Sequence, residues 1–427
     1  MVTIMKFYLI GIKGTGMSSL ACMLKDLGHN VVGSDVSDYY FTEDILIKRK
    51  IEILEFNEYN ITSEYIYIIG NAFDERNEEV RKVIVNDYEY YYYHKFIGEV
   101  LEKNIVSVAG THGKTTTTSF ASQMLNKEVS YIIGDGTGYG TNETNILLLE
   151  SCEYKNHFLS YSPIISLITN IELDHPDFFK SNNDVVRSFQ KFANNSKQLI
   201  INGDDRLCKR IKHDNIIKFG FSNKNDYQIK IIRQNKNGYI VNLLDKQEST
   251  KQEIYVPFLG KHNIYNFVGA YVICIMLGKN PHMNNIKLPK RRMTKNIYGK
   301  TILIDDYAHH PTEISCLYES IKKTYPHKKI NIIFQPHTYS RTIKFKDEFI
   351  KSLSLFDNVY IAEIFSSKRE EHSKINKSEF ERIFPMFLKF DENILSLIDK
   401  EKSEVWVFIG AGVVNNYIYK ILNENKC

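Results

Sequence analysis

The sequence predicts an α/β protein, because short β-branched apolar runs ending in Gly, Asp or Asn alternate with longer stretches of helical period, the pattern of parallel sheets covered by helices. Two glycine-rich turns that directly follow such runs point the same way, since parallel sheets gather their strand-to-helix turns at one edge. A chain of 427 residues has length for several cores. Three series can be separated, with boundaries near residues 102 and 295.

The first series opens with a strand at 6–10, the turn Gly11-Ile12-Lys13-Gly14-Thr15-Gly16, a helix near 17–27 and a second strand from Asn30 that ends at Asp35. It closes with a strand near 65–69 and the tyrosine-rich stretch 88–93. The second series starts with a strand at 104–109, then Gly110-Thr111-His112-Gly113-Lys114-Thr115-Thr116 and a threonine-rich helix start. Strands at 145–149, 164–169 and 198–201 follow, and the alternating Ile, Tyr and Val of 227–256 suit an antiparallel insertion. The third series has strands at 301–304, 330–334, 359–364 and 405–409, the last running into Gly410-Ala411-Gly412.

Lys plus Arg is 55 and Asp plus Glu is 51, a net charge of +4 with no block of like charge, which argues against a nucleic-acid-coating surface. Apolar residues at 43% and charged residues at 25% exclude a largely disordered chain. Six cysteines show no Cys-x-x-Cys pair, which fits a reducing compartment. The most apolar stretch, 267–277, is about half the roughly 20 residues of a membrane span, so a buried helix is expected and no membrane insertion. The apolar run 7–12 enters glycines rather than a cleavage site. A cytoplasmic protein is the expectation.

The strongest chemical signal is the turn at 110–116. Glycines there let backbone N–H groups turn inward around phosphate oxygens, Lys114 supplies a point charge, and the Thr115 hydroxyl reaches a metal. The spacing lacks the glycine that a generic phosphate loop would place at Val108. The first cluster has the order Gly-x-x-Gly-x-Gly, where the dinucleotide fingerprint is Gly-x-Gly-x-x-Gly. Gly11, Gly14, Thr15 and Gly16 nevertheless open a helix, and Asp35 stands where a ribose hydroxyl would be read. NAD or a nucleotide-linked substrate would use such a turn equally well.

Glu150 and the pair Asp174-His175 stand at strand ends of the second series, so they should converge on Lys114 and Thr115 and hold a divalent ion beside the phosphates. Glu153 falls three residues further out and ranks below Glu150. In the third series, 305–311 and 335–342 are strand-end loops dense in His, Tyr and Arg, which suggests an anion or carboxylate site.

These motifs together resemble the Mur ligase family over essentially the whole length. The markers are 11–21, 110–116, Thr169-Asn170-Ile171-Glu172-Leu173-Asp174-His175, Gly260 to Asn266, Lys290-Arg291-Arg292, 305–313 and Phe334-Gln335-Pro336-His337. The resemblance implies three domains: a Rossmann-like N-terminal domain for a UDP-sugar (1–102), a central P-loop ATPase domain (103–295), and a Rossmann-like C-terminal domain for the amino acid and closure over ATP (296–427). It implies that Lys114 touches the β and γ phosphates and that Thr115, Glu150 and His175 hold Mg2+. It further implies that His262, Asn263 and Asn266 lie on the adenine side and that Arg292 approaches the phosphates. Asp305 and Asp306 would lie near the ATP ribose and the closed domain interface, and Tyr307, His309 and Arg341 near the amino acid. Thr338 stands where several relatives have arginine, leaving Arg341 as that loop's one guanidinium. No carbamylated lysine can be assigned; Gln190 and Lys191 occupy the region.

The implied reaction is ATP-dependent joining of L-alanine to the carboxylate of UDP-N-acetylmuramate. The carboxylate attacks the γ-phosphate, Lys114, magnesium and Arg292 stabilise the transferring group, and the amine of alanine then attacks the acyl phosphate. His309 is the leading candidate for the base. A recycling ligase that attaches a murein peptide to the same UDP-sugar shares most motifs. An NAD oxidoreductase would leave Lys114 without a purpose, and a non-catalytic nucleotide-binding regulator would not need every phosphate-handling position.

Overall fold

The computed structural model describes residues 3–101, 103–365 and 383–423, so residue 102, the expected first boundary, lies outside the described residues. The strands form three sheets. The first has five parallel strands in the order Glu52–Glu55, Asn30–Asp35, Lys6–Ile10, Ile66–Ile69, Tyr90–Tyr92. Lys6–Ile10 is central and fully buried after its first residue, as a strand covered on both faces must be. It feeds the glycine turn and helix Thr15–Asp26, whose residues Met17 to Leu24 are all buried.

The second sheet has ten strands. Its parallel heart runs Gln198–Asn202, Ile165–Ile168, Asn104–Ala109, Ile146–Glu150. On one side Tyr227–Asn235, Gly238–Asp245 and Thr250–Val256 form the antiparallel insertion that the alternation predicts. On the other, a hairpin of Ser130–Ile132 and Gly138–Tyr139 carries the sheet against the first unit. Ser19 Oγ donates to the Ile133 carbonyl at 2.7 Å, Arg49 donates to the Gly138 carbonyl at 2.8 Å, and a Cβ at Gly138 would sit 1.9 Å from the Ser19 carbonyl oxygen. Helix Lys261–Met276, the expected apolar helix, is buried against Phe120, Leu167 and Phe219. Among the described residues no helix is long and apolar enough to cross a membrane.

The third sheet runs Thr294–Tyr298, Thr301–Asp306, Val405–Ile409, Ile330–Phe334, Asn358–Ile361, Leu388–Lys389. Only the first pair is antiparallel. The expected boundary at 295 therefore cuts a strand. Thr294–Tyr298 is short, polar and on the edge, so periodicity does not reveal it; it exists because Gly299, at φ +60, turns the chain back onto Thr301–Asp306. The parallel strands ending at Ile10, Ala109, Glu150 and Asp306 lead into turns that line adjoining cavities.

Candidate functional site

The turn after Asn104–Ala109 is built as its sequence requires. Gly110 has φ +137 and Gly113 has φ +80, and helix Lys114–Met124 begins on Gly113 with no side-chain cap, leaving its first N–H groups directed into the turn. A Cβ at Gly113 would meet Asn266 Oδ1 at 2.5 Å. The loop is fastened by the segment after Ile165–Ile168: Asn170 Oδ1 accepts from His112 N at 2.9 Å, Asn170 Nδ2 and Thr169 Oγ1 donate to the His112 carbonyl, and Glu172 N donates to Thr111 Oγ1 at 2.8 Å. Thr169 and Asn170 thus hold the glycine loop itself, a role that spacing alone does not reveal.

Lys114 folds back over this loop. Its ammonium donates to the carbonyls of Gly110 (2.5 Å) and Thr111 (3.0 Å) and to Glu153 Oε1 at 3.1 Å. Glu153 is buried, and its Oε2 faces the same ammonium at 3.0 Å without a directed hydrogen bond. The structure thus raises Glu153 above its sequence rank. Beside it, Glu150 accepts from Thr115 Oγ1 (2.9 Å) and Gly134 N (2.6 Å). His175 Nε2 stands 4.0 Å from Glu153 and 3.9 Å from Asp174. Burial keeps His175 neutral, with a lone pair to offer, and works against ionisation of Glu150 despite the nearby Lys114.

These groups line a cavity of about 400 Å³ that also takes in Gly11, Gly14, Thr15 and Gly16 from the first unit and Arg292, Tyr307, His309 and Glu313 from around the third sheet. A second cavity, of about 680 Å³, adjoins it through His112, Gly113, Arg292 and Glu313, and is walled by Thr116, His262, Asn263, Asn266 and Asp306. Burial and Arg292 push His262 down to about 4, so its ring is neutral there. Asn263 Nδ2 is tied to the Leu259 carbonyl at 2.7 Å, which orients it on the helix.

Four expected residues are placed differently. Gly110 lies behind the loop and lines neither cavity. Asp35 also lines neither: it accepts from the N–H groups of Lys13 (2.7 Å) and Val36 (2.9 Å), and so pins the glycine turn from beneath. Asp305 and Asp306 are consecutive in a strand and point to opposite faces. Only Asp306 reaches the larger cavity, whereas Asp305 meets buried Arg291, which clasps the carbonyls of Gly410 and Gly412. Arg341 is buried and lines neither cavity; Nε and Nη2 donate to the two oxygens of Asp174 at 2.8 and 3.1 Å, and Nη1 donates to His337 Nδ1. Its fork is committed to the central unit.

Tyr307 and His309 do face the smaller cavity. His309 Nδ1 lies 2.9 Å from the Tyr307 carbonyl, which can only accept, so the proton sits on Nδ1 and the neutral ring carries its lone pair on Nε2. Burial, with Arg341 nearby, pushes His309 down to about 4. Arg292 stacks over Tyr307 at 5.4 Å.

Comparison with known proteins agrees along the chain. The family profile described as the Mur ligase family catalytic domain matches residues 6–104, the Mur ligase middle domain 108–274, and the Mur ligase glutamate ligase domain 291–394. The chain is 39% identical to the UDP-N-acetylmuramate--L-alanine ligase of Streptococcus agalactiae and 38% identical to that of Lactococcus lactis subsp. cremoris, covering 96% of each protein. In fold it is similar to the UDP-N-acetylmuramate-alanine ligase of Thermotoga maritima (TM-score 0.80, 22% identity, 99% of both chains) and to a murein peptide ligase of Psychrobacter arcticus (TM-score 0.74, 20% identity, 98% of both). With three matching domain profiles in order and near-complete coverage of these relatives, the chain belongs to the Mur ligase family.

Proposed function

We propose that this chain joins L-alanine to the carboxylate of UDP-N-acetylmuramate at the expense of ATP, a step in peptidoglycan precursor synthesis. The observation that carries the reading is the cavity of about 400 Å³ in which a glycine turn of the first sheet, a phosphate loop of the second and His309 with Tyr307 of the third meet. Three reactants held by three units need such a meeting place. Residues 1–102 take the UDP-sugar through Gly11, Gly14, Thr15 and Gly16, residues 103–295 take ATP, and residues 296–427 take the amino acid and close the site. The edge strand Thr294–Tyr298 belongs with this third unit, so its start lies two residues earlier than 296.

ATP places its base in the larger cavity beside His262, Asn263 and Asn266, its ribose toward Asp306, and its phosphates on Thr111 to Thr116. Lys114 leaves the carbonyls of its own loop for the β and γ phosphates, and Arg292 reaches them from the opposite side. Thr115, Glu150 and His175, joined by Glu153, would hold Mg2+: three oxygen donors and one neutral imidazole form a suitable set, and the buried Glu153 Oε2 has no hydrogen-bond donor directed to it. The ion, when bound, supplies charge to the β and γ oxygens.

The muramyl carboxylate oxygen bonds to the γ-phosphorus as the bond to ADP breaks. The alanine amine then bonds to the acyl carbon, and inorganic phosphate leaves. The amine must shed a proton, and His309 Nε2 takes it once nitrogen has begun to bond and become acidic, because an imidazole held near 4 cannot take it from a free ammonium. Closure excludes water from the acyl phosphate. A cytoplasmic location fits a reaction that consumes ATP.

The test is phosphate release with UDP-N-acetylmuramate, ATP and magnesium, adding alanine, glycine, serine or a murein tripeptide in turn, with the product weighed by mass spectrometry. Alanine-dependent release and a UDP-sugar heavier by one alanyl residue are expected. A preference for the tripeptide would overturn the assignment in favour of the recycling activity.

A further inference from the structure

Around Glu313, in the first turn of helix Pro311–Thr324, three segments meet at one largely buried carboxylate that borders both cavities. Its Oε1 lies 3.5 Å from His112 Nδ1 of the phosphate loop and 3.7 Å from Arg292 Nη1 of the segment that leads into the third sheet. Its Oε2 accepts the His309 N–H at 3.0 Å and stands 3.6 Å from His309 Nδ1. The opposite side of the His112 ring is taken too: Nε2 meets Glu172 Oε2 at 3.1 Å, and Glu172 Oε1 accepts from Thr312 Oγ1 at 2.9 Å. His112 is therefore held between a carboxylate of the central unit and a carboxylate of the third.

We propose that Glu313 is a positioning residue for phosphoryl transfer, which completes a cationic His112 in the phosphate loop and aims Arg292 only when the third unit is closed onto the central one; this rests on the ligase reading above. An imidazole with a carboxylate at each nitrogen satisfies both only if both nitrogens carry protons. His112 thus adds a second fixed cation next to Lys114, on the loop where phosphates are expected. Burial alone would lower its pKa, yet Glu172 and Glu313 carry it up to about 9. The other charged or titratable groups packed there are His310, whose ring lies 4.7 Å from His112, and Arg292 and His309 on the far side of Glu313. Burial opposes ionisation of Glu313, and His309, His112 and Arg292 more than reverse it, holding it well below the usual carboxylate range. If the third unit swings away, Glu313 goes with it. His112 then keeps only Glu172, and Arg292 loses its guide.

His112, Glu172 and His310 also bring possible metal-ligand atoms within 4.8 Å of one another. A metal does not suit them. His310 Nδ1 accepts the Thr312 N–H at 3.4 Å, so the neutral ring has its proton on Nε2 and no lone pair left to give. The cluster is a proton-bearing link between units.

The test uses the full-length protein. Glu313→Gln and Glu313→Asp are compared by 15N NMR of histidine-labelled samples, with His112 assigned through His112→Gln, and by steady-state kinetics across pH. The His112 resonance should stay that of an imidazolium past pH 8 in the unmodified protein. In Glu313→Gln its titration should fall by at least about one unit, a tenfold change in the equilibrium. The alkaline limb of kcat/KM for ATP should move down with it, kcat should fall at least about tenfold, and calorimetric binding of UDP-N-acetylmuramate should not change. Glu313→Asp should restore part of both the titration and kcat. An unmoved His112 titration in a folded Glu313→Gln protein overturns the proposal, as does an unmoved pH profile. The NMR arm needs no substrate, so it stands or falls separately from the ligase assignment, which fails if the unmodified protein releases no alanine-dependent phosphate.

Discussion

Arg341 and Asp174 are 167 positions apart, both nine-tenths buried or more, and joined by two hydrogen bonds of 2.8 and 3.1 Å. Replacing Arg341 with Ala leaves the Asp174 carboxylate buried without its partner, a change that costs about 3–5 kcal/mol in comparable buried pairs. That cost falls on the closed arrangement of the two units. If half of it is relieved by opening, so that water reaches Asp174, the closed-to-open ratio still drops by roughly ten- to seventyfold. Because the closed form makes product, kcat/KM should fall by a similar factor for ATP, alanine and the UDP-sugar alike. A guanidinium that bound the alanine carboxylate would behave otherwise: its loss would forfeit roughly 1.5–3 kcal/mol, felt in the Michaelis constant for alanine alone. Steady-state kinetics with each substrate varied, together with a double-mutant cycle through Asp174→Asn, separates the two. A coupling energy near zero, with only the alanine constant raised, would refute the clamp and return Arg341 to the amino-acid site.

Lys114→Ala should abolish ligation, at least about a hundredfold, while UDP-sugar binding persists; near-normal turnover would remove the phosphate loop from the reaction. Glu150→Gln, His175→Ala and Glu153→Gln should each raise the magnesium needed for half-maximal rate, and overlaying titrations for all three would show that the ion is held elsewhere. A Cβ at Gly14 meets nothing of the protein closer than the Gly11 carbonyl at 3.4 Å. Gly14→Val should therefore fold normally yet lose UDP-N-acetylmuramate in calorimetry, and retained affinity would place the pyrophosphate off this turn. His112, raised to about 9 in the folded chain against an ordinary value near 6.5, contributes stability that is complete below about pH 6.5 and lost as pH rises through 9, by at most about 3 kcal/mol. Urea unfolding of the unmodified protein and His112→Gln across that window should converge at the alkaline end, and parallel curves would contradict the charged ring.

What could be read from the sequence was local. The phosphate loop, the glycine turn at 11–16 and Glu150 are each fixed by a strand, a turn and a helix start adjacent in the chain, and they lie where those signals place them. Asp305 and Asp306 were not separable, since alternation says that two neighbours face opposite ways but not which face borders the cavity. Nor does a sequence show that Asp35 spends its carboxylate on the N–H groups of Lys13 and Val36, which depends on how the glycine turn folds over the next strand end, or that Arg341 meets Asp174, which depends on how units dock.

The segment Thr169 to His175 shows why docking matters to the chemistry. Thr169 and Asn170 hold the phosphate loop, Glu172 meets Thr312 and His112, Asp174 meets Arg341, and His175 ends among the proposed metal ligands. One short stretch thus touches both the loop at 110–116 and the third unit. A shift of this stretch when phosphates and metal arrive must move Glu172 and Asp174 as well, and closing the third unit must press back on the loop through the same two carboxylates. By reciprocity of linkage, whatever nucleotide binding contributes to closure, closure returns to nucleotide affinity. ATP should therefore bind more weakly to the Arg341→Ala protein than to the unmodified one even with no alanine or UDP-sugar present, although Arg341 touches neither cavity.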